Sequence, residues 1–503
     1  MNLLRTKSVE QSIKDTEEPG HRLRRDLSAL DLVVFGIGVI VGTGIFVLTG
    51  QVAKDKAGPA VAISFVLAAV VCGLAALCYA EFASTVPVAG SAYTFSYATL
   101  GEFPAWIIGW DLILELALGA AVVSVGWSGY FASLLDSAGL HLPAAILNPP
   151  GSHGGVVNVP AIALVLVVTG LLVLGVKISS RVNAVVVVVK VSVVLLVIVA
   201  GLFFVKGENY HPFIPPSEPN PSVKGAAAPL MQVIFGINPV SYGWLGIFAA
   251  IAIVFFAYIG FDIVATAAEE ARRPQRDLPI GLIGSLIITA ILYAAVSTVV
   301  AGMQNYKKLS DAAPLADAFK AVGHSAFATI IDVGAVVGLI AVVLILLLGQ
   351  SRVFFAMSRD GLLPPWLSVI HPRFGTPWLS TVIMGGIVAV LAGFIPLSKL
   401  AELVNIGTLF AFLLVSVGVV ILRRTRPDLP RAFRTPFVPV IPILSVLGCL
   451  FVMINLPLET WYRFLAWMVI GAVIYFAYGR THSRVGIAAA PAPGGTRAPR
   501  DRP

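Results

Sequence analysis

The chain is 503 residues long, with 58% hydrophobic and only 12% charged residues, a mean hydropathy of +0.92 and a net charge of +8. A soluble domain cannot hide that much apolar surface, so the composition excludes a soluble globular protein and points to a polytopic helical membrane protein. In such a protein excess Lys and Arg mark the loops that stay in the cytoplasm, so the positive charge does not signal nucleic-acid binding.

Residues 1–30 are polar and charged and read as a cytoplasmic tail. They are too hydrophilic for a cleaved signal peptide, so the first span is expected to stay as an anchor. At about 20 apolar residues per crossing, twelve spans follow. They lie near 31–52, 59–82, 104–131, 157–175, 182–205, 243–268, 279–302, 324–350, 377–395, 399–422, 437–456 and 459–479. Pro59, Pro104, Pro160 and Pro279 sit at span starts, where a missing N–H costs nothing. Cys72, Cys78 and Cys449 all fall inside spans and read as small packing residues rather than a disulfide framework.

Lys and Arg concentrate in the segments that an inside N-terminus would leave in the cytoplasm, so both termini are predicted to be cytoplasmic, in the plasma membrane. Spans 1–5 (31–205) and 6–10 (243–422) make two five-helix halves, separated by an extracytoplasmic loop, 206–242, rich in Pro and Asn. An odd number of crossings per half forces opposite topology, so a structural repeat must be inverted. Helices 11 and 12, with the cytoplasmic loop before them (423–480), are then additions. Residues 481–503 are basic and of low complexity, and are expected to form a disordered cytoplasmic tail.

Two spans are interrupted by glycine at matching places in the halves. The first reads Gly38-Val39-Ile40-Val41-Gly42-Thr43-Gly44-Ile45-Phe46, the second Phe255-Phe256-Ala257-Tyr258-Ile259-Gly260-Phe261-Asp262. Unwound backbone in a bilayer is tolerated only around a buried or wet cavity, and paired interrupted helices point to a carrier's midplane site. The alternative is that Gly38 and Gly42 serve helix packing, as a small-xxx-small pair.

Four motifs, Gly36 to Gly50 (GIGVIVGTGIFVLTG), Pro87 to Tyr93 (PVAGSAY), Phe255 to Ile280 (FFAYIGFDIVATAAEEARRPQRDLPI) and Gly349 to Pro364 (GQSRVFFAMSRDGLLP), occur in this order. Over essentially all of 25–480 the chain resembles the amino acid–polyamine–organocation (APC) superfamily, and within it the cationic amino acid transporter branch and its bacterial relatives. The resemblance implies an all-α leucine-transporter-type fold with a five-plus-five inverted repeat plus two helices, and amino acid transport. It implies that the N–H groups of Thr43 and Gly44 receive a substrate α-carboxylate. Carbonyls of Ile40, Phe256, Ala257 and Ile259 would receive its α-ammonium. Gly42 and Gly44 suit close backbone approach, because a side chain there would block it.

Lys190 lies about eight residues into span 5, roughly 12 Å by helix rise, where a charge costs on the order of 2.5–3.5 kcal/mol. The resemblance implies that a lysine here stands in for the sodium ion of sodium-coupled relatives. It is expected to titrate and couple transport to protons, with a snorkelling or structural lysine as the alternative. Glu115, in span 3, and Asp262, past the second break, are candidates to pair with Lys190, complete a proton path or accept a cationic side chain. Asp262 reads equally as a helix cap. Asp111 and Asp332 also lie at or inside span limits, with no role assigned.

Glu269-Glu270-Ala271-Arg272-Arg273, Ser351-Arg352 and Ser358-Arg359-Asp360 are expected in cytoplasmic loops, as topology determinants or as inner-gate ion pairs, Glu270 and Arg352 being the candidates. Phe256 and Tyr258 are aromatic gate candidates. The seven histidines (21, 141, 153, 211, 324, 371 and 482) show no pair at helical spacing, and neither a Ser/His/Asp arrangement nor a phosphate loop stands out, so an enzyme is not expected. A channel should show a filter or charged ring. The leading expectation is a secondary carrier importing L-amino acids, with an exchanger, an uncoupled facilitator or a non-transporting receptor as alternatives. No cofactor is expected; the coupling ion would be the proton, not sodium. The partners are the substrate and lipid, with no nucleic acid, and a small membrane accessory subunit stays open. Whether the substrate is cationic or small and neutral is not fixed by these residues.

Overall fold

The computed structural model describes residues 26–86, 91–152, 154–175 and 180–485. Most of the predicted N-terminal tail, the first residues of the Pro87–Tyr93 motif and the predicted tail from residue 486 lie outside the described residues. The main helices are α1 (Ala29–Ile40), α2 (Val61–Thr85), α3 (Glu102–Ser137), α4 (Val159–Val173), α5 (Ser180–Leu202) and α6 (Gly243–Val254). They continue with α7 (Pro274–Met303), α8 (Ser325–Arg359), α9 (Trp378–Phe394), α10 (Leu397–Thr425), α11 (Val440–Ile454) and α12 (Leu458–Ile474). Among the described residues eight helical runs are long and apolar enough to cross a membrane, and α1, α4, α9 and α11 are shorter apolar helices. The chain is a multi-pass helical membrane protein.

Side-chain caps fix two of the helix starts. Ser28 and Asp31 form a reciprocal cap at α1, with Ser28 N donating to Asp31 Oδ2 at 2.8 Å and Asp31 N to Ser28 Oγ at 3.3 Å. Asn158 caps α4 by accepting from Ala161 N at 3.1 Å, with Pro160 in the first turn. Beyond α1 the helical run resumes at Gly44 and reaches Ala57, five residues past the expected end of span 1. It joins α2 through Gly58, whose φ of +63° makes the turn and where a Cβ would meet the Pro215 ring.

The end of span 8 also departs from expectation. Helix α8 runs to Arg359, so Ser351, Arg352, Ser358 and Arg359 lie on a helix rather than in a loop. Nothing between Gly349 and Asp360 breaks the helix, and Gly361, at φ +79°, is the first residue that does. Span 6 is interrupted where its sequence predicts: α6 ends at Val254, a 3₁₀ turn covers Phe255–Tyr258, and a second 3₁₀ run covers Asp262–Glu270. The long 206–242 loop contains only short structure, with helix Leu230–Ile234 and a two-residue antiparallel ladder, β1 (Glu218–Pro219) on β2 (Val240–Ser241).

Helix α3 sits at the centre, packed along α8 and α10, while α7 packs along α1 and α2, α4 against α9, and α11 against α10. The most apolar stretch of α3 is 89% buried, against 22% for the Leu458–His482 run that contains α12, so α12 lies at the rim. Helix α5 is two-faced. Val182, Val185, Val188, Leu195, Val199 and Leu202 are exposed, whereas Val187, Lys190, Val194 and Val197 are buried, so helical phase turns Lys190 inward.

Candidate functional site

The break in α1 leaves specific backbone groups to be satisfied. The helix ends with Val41 N donating to Ile37 O at 2.9 Å, and the ladder restarts with Ile45 N and Phe46 N both reaching Gly42 O, at 3.2 and 3.4 Å. Among the described residues the N–H groups of Gly42, Thr43 and Gly44 make no backbone hydrogen bond, as expected of the first donors of a new helical segment. Carbonyls on the other side of the break are met by side chains. Lys190 Nζ donates to Gly38 O and, at 3.0 Å, to Val41 O. Tyr293 Oη donates to Ile40 O at 2.6 Å; past the break, Tyr130 Oη donates to Phe46 O at 2.6 Å. A buried cation at the carboxyl end of a helix also meets the negative end of its dipole.

The second break is supported in the same way. Where α6 tightens into the 3₁₀ turn, Asn405 of α10 donates through Nδ2 to Ala252 O at 2.7 Å and Ile253 O at 3.2 Å. Ile259 N closes the turn on Phe256 O at 3.1 Å. Gly260 then takes φ +110°, and a Cβ there would press on Val39 Cγ1 of α1. Among the described residues the carbonyls of Ala257 and Ile259 accept no backbone hydrogen bond. The two breaks touch: a Cβ on Gly44 would collide with the Ala257 backbone.

Between them lies a cavity lined by Ile40, Gly42, Thr43 and Gly44 from the first break and by Phe256 and Ile259 from the second. Glu115, Leu116, Gly119 and Val123 of α3, and Val342 and Leu346 of α8, complete the wall. It is tight, with about 20 Å³ open to the centre of a water molecule, which is room for about one water. Thr43 Oγ1 is buried there without a hydrogen-bond partner. Of the residues picked from the sequence, Ile40, Gly42, Thr43, Gly44, Glu115, Phe256 and Ile259 converge on this cavity. Ala257 packs against Gly44 behind the lining.

The ionisable candidates divide into two groups. Lys190 is fully buried beside the α1 carbonyls and makes no ion pair with Glu115 or Asp262 among the described residues. Glu115, Asp111 and Asp262 are neighbours in a second group, all buried. Only Glu115 lines the cavity. Asp262 opens the second 3₁₀ run, which has no side-chain cap hydrogen bond, and its Oδ1 is buried without a partner. Asp111, one helical turn from Glu115, has both carboxylate oxygens buried and without a partner and packs on Gly407 of α10. Asp332 lies elsewhere, accepting from Ser133 Oγ at 2.8 Å.

The gate candidates separate as well. Arg352 Nη2 and Glu270 Oε1 stand 3.9 Å apart, beside a strap in which Leu27 N donates to Glu270 O at 3.0 Å and Arg272 N to Leu27 O at 2.8 Å. Phe256 lines the cavity. Tyr258 does not: it is fully buried, donates to Phe65 O of α2 at 2.9 Å, and packs on Phe65 and Tyr293. Several site residues escaped the sequence reading. Gly119 and Val123 follow Glu115 at helical spacing, which is a readable signal. Tyr293, Tyr130 and Asn405 are polar residues within apolar spans, whose hydrogen-bonding ends need partners in a bilayer.

Comparison with known proteins identifies the family. The chain matches the amino acid permease family over residues 27–476. It is 49% identical over 489 residues to a branched-chain amino acid permease, BcaP, of Bacillus subtilis (strain 168), covering 96% of this chain and 99% of that protein. It is 46% identical over 462 residues to a methylthioribose transporter of the same organism, covering 92% and 95%. It is 33% identical to cationic amino acid transporter 4, vacuolar, of Arabidopsis thaliana, covering 96% of each chain. The chain thus belongs to the amino acid permease family of the APC superfamily, and is a membrane transporter and not an enzyme.

Proposed function

We propose that this protein is a secondary carrier that imports L-amino acids across the cytoplasmic membrane by alternating access around its two broken spans, coupled to protons. One observation carries the reading: N–H groups without backbone partners at Gly42–Gly44 share a cavity with the unoccupied carbonyl of Ile259. A zwitterion carries an anion and a cation on one carbon, and such a site offers donors and acceptors to both. Thr43 and Gly44 N–H would take the carboxylate. Ile259 O, with the second lone pairs of Ile40 O and Phe256 O, would take the ammonium. Admission of an amino acid to so tight a cavity requires the breaks to move apart.

The helices are taken as twelve crossings, with α1–α5 and α6–α10 as inverted halves and both termini inside. Lys190 is the proposed coupling residue, since losing its proton would strip the charge from its hydrogen bonds to the Gly38 and Val41 carbonyls beside the α1 break and so weaken them. For the side chain, the apolar wall of Gly119, Val123, Val342 and Leu346 favours neutral aliphatic substrates, in keeping with the relatives named as branched-chain amino acid permeases. A second reading, cationic substrates, rests on the Glu115 carboxylate in that wall and on the relatives named as cationic amino acid transporters.

The test has two stages. Purified protein is melted with each of the twenty amino acids and with methylthioribose, since only a bound ligand raises the midpoint. Stabilisation by leucine, isoleucine or valine is expected; stabilisation by arginine and lysine alone selects the second reading, and by no amino acid overturns the substrate class. Uptake into empty proteoliposomes is then compared with and without a pH gradient. Gradient-independent uptake would mean a facilitator, and uptake only into preloaded vesicles an exchanger.

A further inference from the structure

The long outer loop contains a stretch that does not look like a solvated loop. From Gly225 to Val240 it carries no charged residue. Val233, Ile234, Phe235 and Ile237 are 43, 63, 70 and 39% exposed, side by side, while Gln232 turns inward and is buried. A short helix, Leu230–Ile234, organises them, closed by Phe235 N on Met231 O at 3.1 Å and Ile237 N on Gln232 O at 2.9 Å. Four large apolar side chains held outward at one spot require a covering.

The attachment of this stretch indicates what covers it. Leu230 N donates to Leu456 O at 2.9 Å and Leu458 N to Ala228 O at 3.0 Å, so the segment is stitched to the turn between α11 and α12. That turn joins two rim helices whose outward side chains, Leu447 and Leu450 on α11 and Leu465 and Val469 on α12, form an apolar belt. Tyr462, 59% exposed, stands one turn into α12, and Trp244, 56% exposed, stands at the start of α6. Exposed Tyr and Trp at helix ends mark the membrane–water boundary. The apolar patch therefore sits beside the turn that joins these two rim helices.

We propose that residues 230–237 form an interfacial anchor, lying flat in the outer leaflet with Val233, Ile234, Phe235 and Ile237 inserted among lipid headgroups and upper acyl chains. Side chains of this kind enter to a depth of about 5–10 Å. The anchor ties the loop that leads into the broken span 6 to the rim pair α11 and α12. The inference rests on the proposed orientation, which puts the α11–α12 turn outside.

The experiment uses thiol labelling, since Cys72, Cys78 and Cys449 are all buried. Phe235→Cys and Ile234→Cys carry a polarity-sensitive fluorophore in proteoliposomes, with Lys224→Cys, exposed on the same loop, as the aqueous control. Shallow spin-labelled lipid should quench positions 234 and 235 several-fold more than 224, and aqueous iodide should do the reverse. Iodide quenching at all three positions overturns the anchor. Disulfide-linked dimers of Phe235→Cys, without lipid quenching, also overturn it, because a second copy would then cover the patch. Orientation is read separately from the side on which a membrane-impermeant thiol reagent reaches Lys224→Cys. A cytoplasmic result with lipid quenching at 235 would overturn the topology and the outer-leaflet assignment together; an external result without lipid quenching would overturn the anchor alone.

Discussion

The ammonium of Lys190, on α5, donates to the carbonyl of Val41 at 3.0 Å, where α1 loses its hydrogen-bond ladder. One side chain thus ties a scaffold helix to the unwound turn beside the cavity. Replacing it by methionine keeps most of the volume and removes the donors, leaving two buried carbonyls short of a partner, at about 1–3 kcal/mol. Lys190→Met is expected to lower the melting point and abolish pH-driven uptake while substrate counterflow persists. Full pH-driven uptake by this variant would remove the proton role.

Gly42 and Gly44 give a paired test of the backbone site. A Cβ on Gly44 would strike the Ala257 backbone, whereas one on Gly42 would find Val342 at 3.7 Å, ordinary contact. Overpacking of the first kind costs about 1–3 kcal/mol. Gly44→Ala should cut transport and ligand-induced stabilisation tenfold or more, and Gly42→Ala should cost much less. Equal losses in both would argue against close approach of the two breaks at Gly44.

Gly119 should set the size of the side-chain pocket. A Cβ there would sit 3.6 Å from Leu346, on the cavity wall, without disturbing the breaks. One methylene of pocket is worth about 1–3 kcal/mol of discrimination. Gly119→Ala is expected to shift competition for uptake about tenfold from leucine toward alanine. An unchanged preference would mean that the substrate side chain points elsewhere.

Glu81 supplies the cleanest stability prediction. Its buried carboxylate accepts from Arg423 Nε at 2.9 Å and Nη2 at 2.7 Å, and from Thr435 N at 2.8 Å, joining α2 to α10 and to the loop after it. Breaking a buried pair by removing one partner costs about 3–5 kcal/mol. Glu81→Gln should lower the melting point by several degrees with little change in substrate preference, read by tryptophan fluorescence on heating. The Arg352–Glu270 pair, at 3.9 Å and half-exposed, should differ, contributing at most about 1 kcal/mol.

The unwinding of both spans was readable in the sequence because glycine next to Thr43 and Phe261 interrupts otherwise continuous apolar runs. Glu115 was readable because an acid in a bilayer span must face inward. The wall residues Val342 and Leu346 were not. Helix α8 is apolar on every side from Val333 to Gly349, so no periodicity says which face meets the cavity. Tyr258 shows the same blindness from the other direction: placed beside the glycine break it suggested a gate, yet a turn of 3₁₀ geometry carries its ring to Phe65 and Tyr293.

By itself the sequence determined the solvent of this protein and the two places where helix must fail. These follow from hydropathy and from glycine, which act locally. The tertiary structure alone decided that Lys190 meets the carbonyls of Gly38 and Val41 rather than a carboxylate, and that Asp111 and Asp262 gather behind Glu115. It also decided that Tyr293, Tyr130 and Asn405 supply the hydrogen bonds that the broken helices lost. A backbone group freed in the bilayer takes whichever donor packing brings within 3 Å, and packing between helices apolar all round leaves no mark on their sequence.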